Sequence, residues 1–125
     1  MGTERGRIDA RFERLLEQEK IAFLMAGKPL VASRQQGVYV IRDLRETVLH
    51  VGRTLRSENG LYQRLYDHLY GRSSFVFAYF GGDGAKLRGT HTYQVLPEAN
   101  ARMRALLEAH SISQLCPKHL GTGEE

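Results

Sequence analysis

Two short segments with the two-residue period of β-strands lie close together in the chain, and they constrain its fold more than any other feature. Residues 37–41 (GVYVI) and 48–52 (VLHVG) have this pattern. The polar connection between them, residues 42–46 (RDLRE), suits a turn between antiparallel neighbours. The sequence therefore predicts a β-hairpin. If its valines and leucine face the core, Tyr39 and His50 both point away from it.

Helices and one further strand are predicted around this hairpin. Apolar side chains at helical spacing predict a helix over residues 4–26, and a second helix is expected over 61–70. Residues 93–96 are predicted to form the third strand, and a helix follows over 97–110 with proline in its first turn. Residues 74–80 fit either a strand or a short buried helix. The Ser-Ser pair before them favours the helix, because serine is a good N-cap.

These elements predict an α+β fold with a small three-stranded, mainly antiparallel sheet flanked by helices. At 125 residues the chain is expected to form one domain over 1–125. An N-terminal helix and connector would occupy 1–36, and the core would occupy 37–120. The single Cys116 indicates a reducing, cytoplasmic setting, and the lack of a long apolar stretch indicates no membrane association.

The basic character of the chain comes mainly from arginine. The net charge is +4, and Lys and Arg together number 18 against 14 Asp and Glu. A guanidinium binds phosphate oxygens with two parallel hydrogen bonds, which an ammonium cannot do. This composition permits nucleic-acid binding without establishing it.

Five side chains combine the groups needed to cut a phosphodiester with a divalent cation. Tyr39 and His50 on the hairpin are candidate proton acceptors, and Arg64 on the second helix is a candidate phosphate clamp. His68 lies one turn after Arg64. Glu108, on the last helix, is a candidate ligand for a hard metal ion.

The order and spacing of these residues resemble the GIY-YIG nuclease family. In that family two signature tripeptides lie on adjacent antiparallel strands, and GVY at 37–39 and HVG at 50–52 match them. His50 stands where the family usually has tyrosine. Arg64 and His68 match the family's arginine and the histidine one turn later.

The C-terminal part of the resemblance is less complete. Glu108 follows Leu107 as the family's metal-binding glutamate does, and Pro117 stands nine residues later, where members usually have proline. The family's asparagine a few residues beyond that proline is absent. His119, two residues after Pro117, is a candidate to take its place.

The resemblance implies an endonuclease that hydrolyses DNA with one divalent cation, Mg²⁺ or Mn²⁺, held through Glu108. Arg64 would bind the non-bridging phosphate oxygens, and His68 would position water or the phosphate. Either Tyr39 or His50 would be the general base, and the sequence leaves that choice open. Further basic residues are candidates for following the DNA backbone. These are Arg53, Arg56, Arg72, Lys86, Arg88 and Lys118.

The sequence contains no recognisable module for reading DNA sequence, so targeting would come from the loops of this domain, a homodimer, a separate partner or the DNA structure itself. A non-catalytic nucleic-acid-binding module with a weakened site is the alternative, suggested by His50 and the missing asparagine. A purely structural interaction domain is a third interpretation.

Overall fold

A computed structural model describes residues 2–25, 27–56 and 58–120. Nine elements follow one another in chain order: helix α1 (Glu4–Glu17), strands β1 (Ile21–Ala22), β2 (Gly37–Asp43) and β3 (Val48–Arg53), helices α2 (Gly60–Leu69) and α3 (Ser74–Phe80), a 3-10 helix (Gly84–Leu87), strand β4 (His91–Pro97) and helix α4 (Ala101–Leu115). The strands form one antiparallel sheet in the order β1-β4-β2-β3. The predicted α+β class is confirmed, but the sheet has four strands and not three.

The fourth strand comes from the segment that the sequence pattern assigned to the first helix. That helix ends at Glu17, because Gln18 has extended dihedral angles. Ile21 and Ala22 pair with β4. Phe23 is then fully buried in the core. Sheet pairing therefore overrides the helical spacing after residue 17. Ala26, which ends the predicted helix, lies outside the described residues, as do Met1 and 121–125 of the predicted domain.

The last helix also differs from its predicted position. Pro97 ends β4, where it pairs with Gly37. Helix α4 begins only at Ala101, with the Asn100 side chain accepting a hydrogen bond from the backbone N–H of Met103. A side-chain cap thus fixes the start of this helix, because it satisfies an N–H that has no partner within the helix. The helix predicted over 74–80 is confirmed, and Ser73 is its N-cap.

Helices cover both faces of the sheet, so the molecule has two apolar layers. On one face, Tyr39 and Ile41 pack with the leucines of α2 and with Phe75 of α3. On the other face, Val38, Val40 and Val51 pack with Leu15 of α1 and Leu107 of α4. Every residue of β2 from Gly37 to Arg42 is consequently buried.

The two covered faces correct the prediction that Tyr39 and His50 point away from the core, since both side chains are buried. They do share a face, as expected, because Ile41 pairs with His50 and Tyr39 pairs with Gly52. A β-bulge follows the Ile41 pair and places Leu49 in the layer that contains Tyr39. Leu49 and Val51 therefore lie in different layers, contrary to the prediction.

The C-terminal segment covers the outer edge of β3. The backbone N–H groups of Lys118 and His119 donate to the carbonyls of Val48 and Leu49, at 3.1 and 2.8 Å. These bonds satisfy edge carbonyls and bring His119 next to the hairpin. None of the described helices has the length and apolar composition needed to cross a membrane.

Candidate active site

Three buried side chains meet between the hairpin and α2. The Tyr39 hydroxyl oxygen lies 2.8 Å from His68 Nε2 and 3.5 Å from His50 Nε2. Strand pairing places Tyr39 and His50 on one face, and α2 packs His68 against that face. The phenol oxygen therefore has an imidazole nitrogen on each side.

Ser73 extends this chain of hydrogen bonds beyond His68. Its hydroxyl oxygen accepts from the N–H of Val76 and lies 2.7 Å from His68 Nδ1. A hydroxyl can donate to or accept from an imidazole nitrogen, so the Ser73–His68–Tyr39 chain can hold its protons in either direction. The serine that caps α3 thus also orients the histidine that contacts the tyrosine.

The His50 ring is held from two further directions. It stacks on Phe75, with ring centroids 4.7 Å apart and an interplanar angle of 9°. Its Nδ1 lies 3.2 Å from His119 Nδ1. One of these two nitrogens must donate and the other accept, so at least one of the imidazoles carries no proton on that nitrogen. The C-terminal segment is therefore tied to the site through His119.

Gly52 leaves room for the tyrosine. A Cβ atom at this position would lie 2.3 Å from the Tyr39 hydroxyl oxygen and 2.5 Å from its Cζ. The ring therefore lies directly over the glycine of the paired strand. Any side chain at this position would push Tyr39 out of the contact that it makes with His68.

We expect Gly52→Ala to destabilise the protein by about 1–3 kcal/mol, the usual cost of overpacking a core. Urea unfolding measures the change. Gly6→Ala is the matched control, because Gly6 is an exposed position of helix α1 where the Cβ would be no closer than 3.4 Å to Thr3 Oγ1. An unfolding free energy that is the same in Gly52→Ala and wild type would contradict the close approach.

A pocket of about 210 Å³ opens beside these groups. The residues Tyr39, His50, Arg64 and Glu108 all line it, so four of the five predicted catalytic side chains share one space. The fifth, His68, lies behind Tyr39. Arg53 also lines the pocket, and its Nη1 donates to Glu108 Oε1 at 2.8 Å.

Burial and neighbouring charge set the protonation of the site. Burial raises the pKa of Tyr39 to about 12, and the Arg64 guanidinium beside its hydroxyl opposes that rise. Burial lowers the pKa of His50 to about 3, with His119 and Arg64 adding to the effect. The pKa of His68 is held well below its usual range, again mainly by burial. All three side chains are therefore neutral near pH 7.

Glu108 is the pocket residue that could hold a divalent cation. Burial raises its pKa, against the opposing effect of Arg53, so a positive ion would relieve an unfavourable carboxylate environment. Among the described residues, no three His, Cys, Asp or Glu side chains come together as a metal site. Mg²⁺ keeps several waters and often takes only one or two protein carboxylates. The single carboxylate therefore fits Mg²⁺ or Mn²⁺, and it does not fit a fully protein-coordinated ion.

The basic residues that were predicted to follow the DNA backbone are spread over the surface. Arg53 and Arg56 line the wider mouth next to the pocket, together with Arg64. The side chains of Arg72, Lys86 and Lys118 are exposed. Arg88 instead donates to the backbone carbonyl of Leu24 at 3.1 Å. This bond ties Arg88 to the segment that follows β1.

Ser73 and Phe75 were not identified as site residues from the sequence. The Ser-Ser pair did indicate a helix N-cap, but the second bond of Ser73, to His68, depends on how α2 and α3 pack. Phe75 lies in an apolar run of a kind that is usual in protein cores, so the sequence did not distinguish it from an ordinary core residue. His119 was a candidate only for the place of the missing asparagine, and its contact with His50 arises from the pairing of the C-terminal segment with β3.

Comparison with known proteins bears on the fold of the chain. Neither a protein-family model nor a curated protein matches the sequence. Among solved structures, the chain is similar to the GIY-YIG N-terminal endonuclease domain of UvrC from Thermotoga maritima, bound to its catalytic divalent cation, magnesium. The TM-score is 0.53 at 22% identity, over 71% of this chain and 86% of that one. The chain therefore has a GIY-YIG-like fold, which confirms at the level of the fold the resemblance drawn from its motifs.

Proposed function

We propose that this protein is a divalent-metal-dependent endonuclease that hydrolyses phosphodiester bonds in DNA. The observation that best supports this is the shared pocket of Tyr39, Arg64 and Glu108, which combines a proton acceptor, a guanidinium and a carboxylate. Phosphodiester hydrolysis requires an activated water and stabilisation of the charge on the phosphoryl oxygens. The GIY-YIG-like fold agrees with this chemistry.

In this mechanism the guanidinium of Arg64 binds two non-bridging oxygens of the scissile phosphate. Glu108 holds Mg²⁺ or Mn²⁺, which when bound supplies Lewis-acid stabilisation of the phosphoryl charge. Tyr39 takes a proton from the attacking water and passes its own to His68, whose Nε2 lies 2.8 Å away. For Nε2 to accept this proton, His68 must carry its own on Nδ1, where the Ser73 oxygen lies 2.7 Å away and can accept it.

Exposed basic residues outside the pocket bind neighbouring phosphates and give affinity without sequence information. One of these, Arg56, lines the mouth of the pocket. The free thiol of Cys116 is exposed, which suits the reducing cytoplasm as the site of action. A second copy of the chain or a partner protein would supply any targeting.

The test is a cleavage assay on plasmid, branched and single-stranded DNA with Mg²⁺ or Mn²⁺. Metal-dependent cleavage that EDTA stops and that is lost in Glu108→Gln is the expected result. DNA binding without cleavage of any of these substrates would overturn the proposal and identify a binding module.

We expect Tyr39→Phe to lower the cleavage rate by ~10²-fold or more, because the ring stays and only the proton acceptor is lost. His50→Tyr should keep substantial activity if His50 only assists. Burial lowers the pKa of His50 to about 3, so its imidazole is expected to stay neutral from pH 8 down to pH 5, and His50 should cause no loss of rate in that range. Single-turnover rates measured across this range test the prediction.

Two outcomes would contradict this assignment of the base. One is a Tyr39→Phe rate near that of wild type. The other is a wild-type rate that falls on acidification between pH 7 and 5 when the His50→Tyr rate does not, which would make His50 the base.

A further inference from the structure

Helix α2 has a row of three tyrosines on the face next to its leucines. Tyr62, Tyr66 and Tyr70 are four residues apart, so they lie one above another along the helix. The ring centroids are 6.1 Å apart for the first pair and 4.3 Å for the second, with interplanar angles of 27° and 30°. Tyr70, at the end of the row, is 53% exposed. We call these three residues the tyrosine ladder.

Two arginines from outside the helix lie over the ladder. The guanidinium carbon of Arg34 is 4.2 Å from the centroid of Tyr62, and that of Arg72 is 5.7 Å from the centroid of Tyr66. Neither arginine takes part in an ion pair among the described residues. Their positive charges are therefore left for a ligand, while the rings hold the guanidinium groups in place.

The buried core cluster does not include this ladder. Helix α2 is anchored to the sheet by Leu61, Leu65 and Leu69, which are buried on the neighbouring face. Tyr62 and Tyr66 are half-buried, and Tyr70 is exposed. The row ends at the exposed ring of Tyr70. An exposed ring beside arginines without ion-pair partners matches the surfaces that bind single-stranded nucleic acid, where bases stack on rings and cations contact phosphates.

The ladder borders the mouth of the pocket, a space of about 400 Å³. Gln63 and Asp67 lie three residues before Tyr66 and Tyr70, so each pair is adjacent on the surface of α2, and both line the mouth together with Arg64. Arg64 lies beyond Gln63 and Asp67 from the rings, so a strand whose phosphate is bound at Arg64 would reach the ladder by crossing α2 over these two residues. In an intact duplex the base faces are covered by stacking, so the ladder suits an unpaired segment next to the scissile phosphate.

We propose that the tyrosine ladder, with Arg34 and Arg72, is a binding platform for a single-stranded segment of the DNA substrate. Its link to cleavage rests on the proposed nuclease function, whereas its binding of single strands does not. The substrate class would then be DNA that contains unpaired nucleotides near the cut.

Fluorescence anisotropy in EDTA, which prevents cleavage, tests this platform. The probes are a labelled oligothymidine of roughly 15 nucleotides, within the length that one such surface covers, and a duplex of equal length. Wild type should bind the single strand more tightly. Tyr66→Leu combined with Tyr70→Leu should weaken single-strand binding roughly tenfold or more, as expected for lost base stacking.

Matched variants separate the rings from other effects. Tyr66→Phe combined with Tyr70→Phe keeps the rings and should bind nearly as wild type does. Arg34→Ala and Arg72→Ala should weaken binding, whereas Arg14→Ala removes the same charge from α1, on the opposite face of the sheet, and should not. Circular dichroism checks that α2 stays folded, and the arginine variants provide the test if the leucine variants do not fold.

The outcomes distinguish this proposal from the nuclease proposal. Single-strand binding that depends on the ladder, without cleavage of any substrate, would support the platform and overturn the nuclease. Metal-dependent cleavage together with unchanged oligothymidine binding in the leucine and arginine variants would overturn the platform. A ladder that faces a protein partner would also give that second result.

Discussion

Glu108→Gln is expected to reduce metal-dependent DNA cleavage by roughly 10³-fold or more, because losing a catalytic cation removes several kcal/mol of charge stabilisation. The amide keeps the shape of the side chain and an oxygen that can accept from Arg53, so the fold should remain. The unfolding free energy should change by only about 1 kcal/mol. Calorimetric titration with Mn²⁺ and a non-hydrolysable DNA should show weakened metal binding.

Glu98→Gln is the matched control for this variant. Glu98 is also a partly buried carboxylate paired with an arginine, Arg11, at 2.6 Å. It lies directly after β4 and does not line the pocket that contains Glu108. Its loss should affect stability alone. Equal rates for wild type and Glu108→Gln, or Mn²⁺ binding unchanged in Glu108→Gln, would remove Glu108 from the proposed metal site.

Arg64→Ala is expected to lower the rate by roughly 10²- to 10³-fold, which corresponds to about 3 kcal/mol of lost phosphoryl stabilisation. Arg64→Lys should recover only part of this, because an ammonium cannot form the two parallel bonds of a guanidinium. Single-turnover kinetics at saturating DNA isolate the chemical step. The removal of Arg64 also removes a charge that opposes the raised pKa of Tyr39.

Arg56→Ala provides the comparison for a residue that only attracts DNA. Arg56 lines the mouth but not the pocket that contains Tyr39 and Glu108. Its loss should therefore weaken DNA binding, mostly at low salt, and should change the single-turnover rate little. If Arg64→Lys cleaved as fast as wild type, Arg64 would supply only bulk charge, as Arg56 does.

The sequence predicted the parts of the fold that depend on local pattern. Alternation over 37–41 and 48–52 predicted the hairpin, and period-two geometry put Tyr39 and His50 on one face of it. The serine pair predicted the N-terminus of α3. Each of these features is set by backbone geometry over a few residues, so the pattern alone was sufficient.

Long-range packing decided the rest. The extended segment at Ile21–Ala22 becomes a strand only because β4 offers an edge for it, and no local signal distinguishes that outcome from a continued helix. The contacts of His68 with Ser73 and of His50 with His119 join residues whose positions depend on helix and edge packing.

The residue types of the candidate site were thus determined by the sequence, and their environment was determined by the tertiary structure. The spacing of Tyr39, Arg64 and Glu108 identified which side chains could act together. Only the closure of helices over both sheet faces buries Tyr39 and His50, and burial is the main cause that moves their pKa values to about 12 and about 3. Solvent exclusion depends on all of the layers at once, so no short stretch of sequence encodes it.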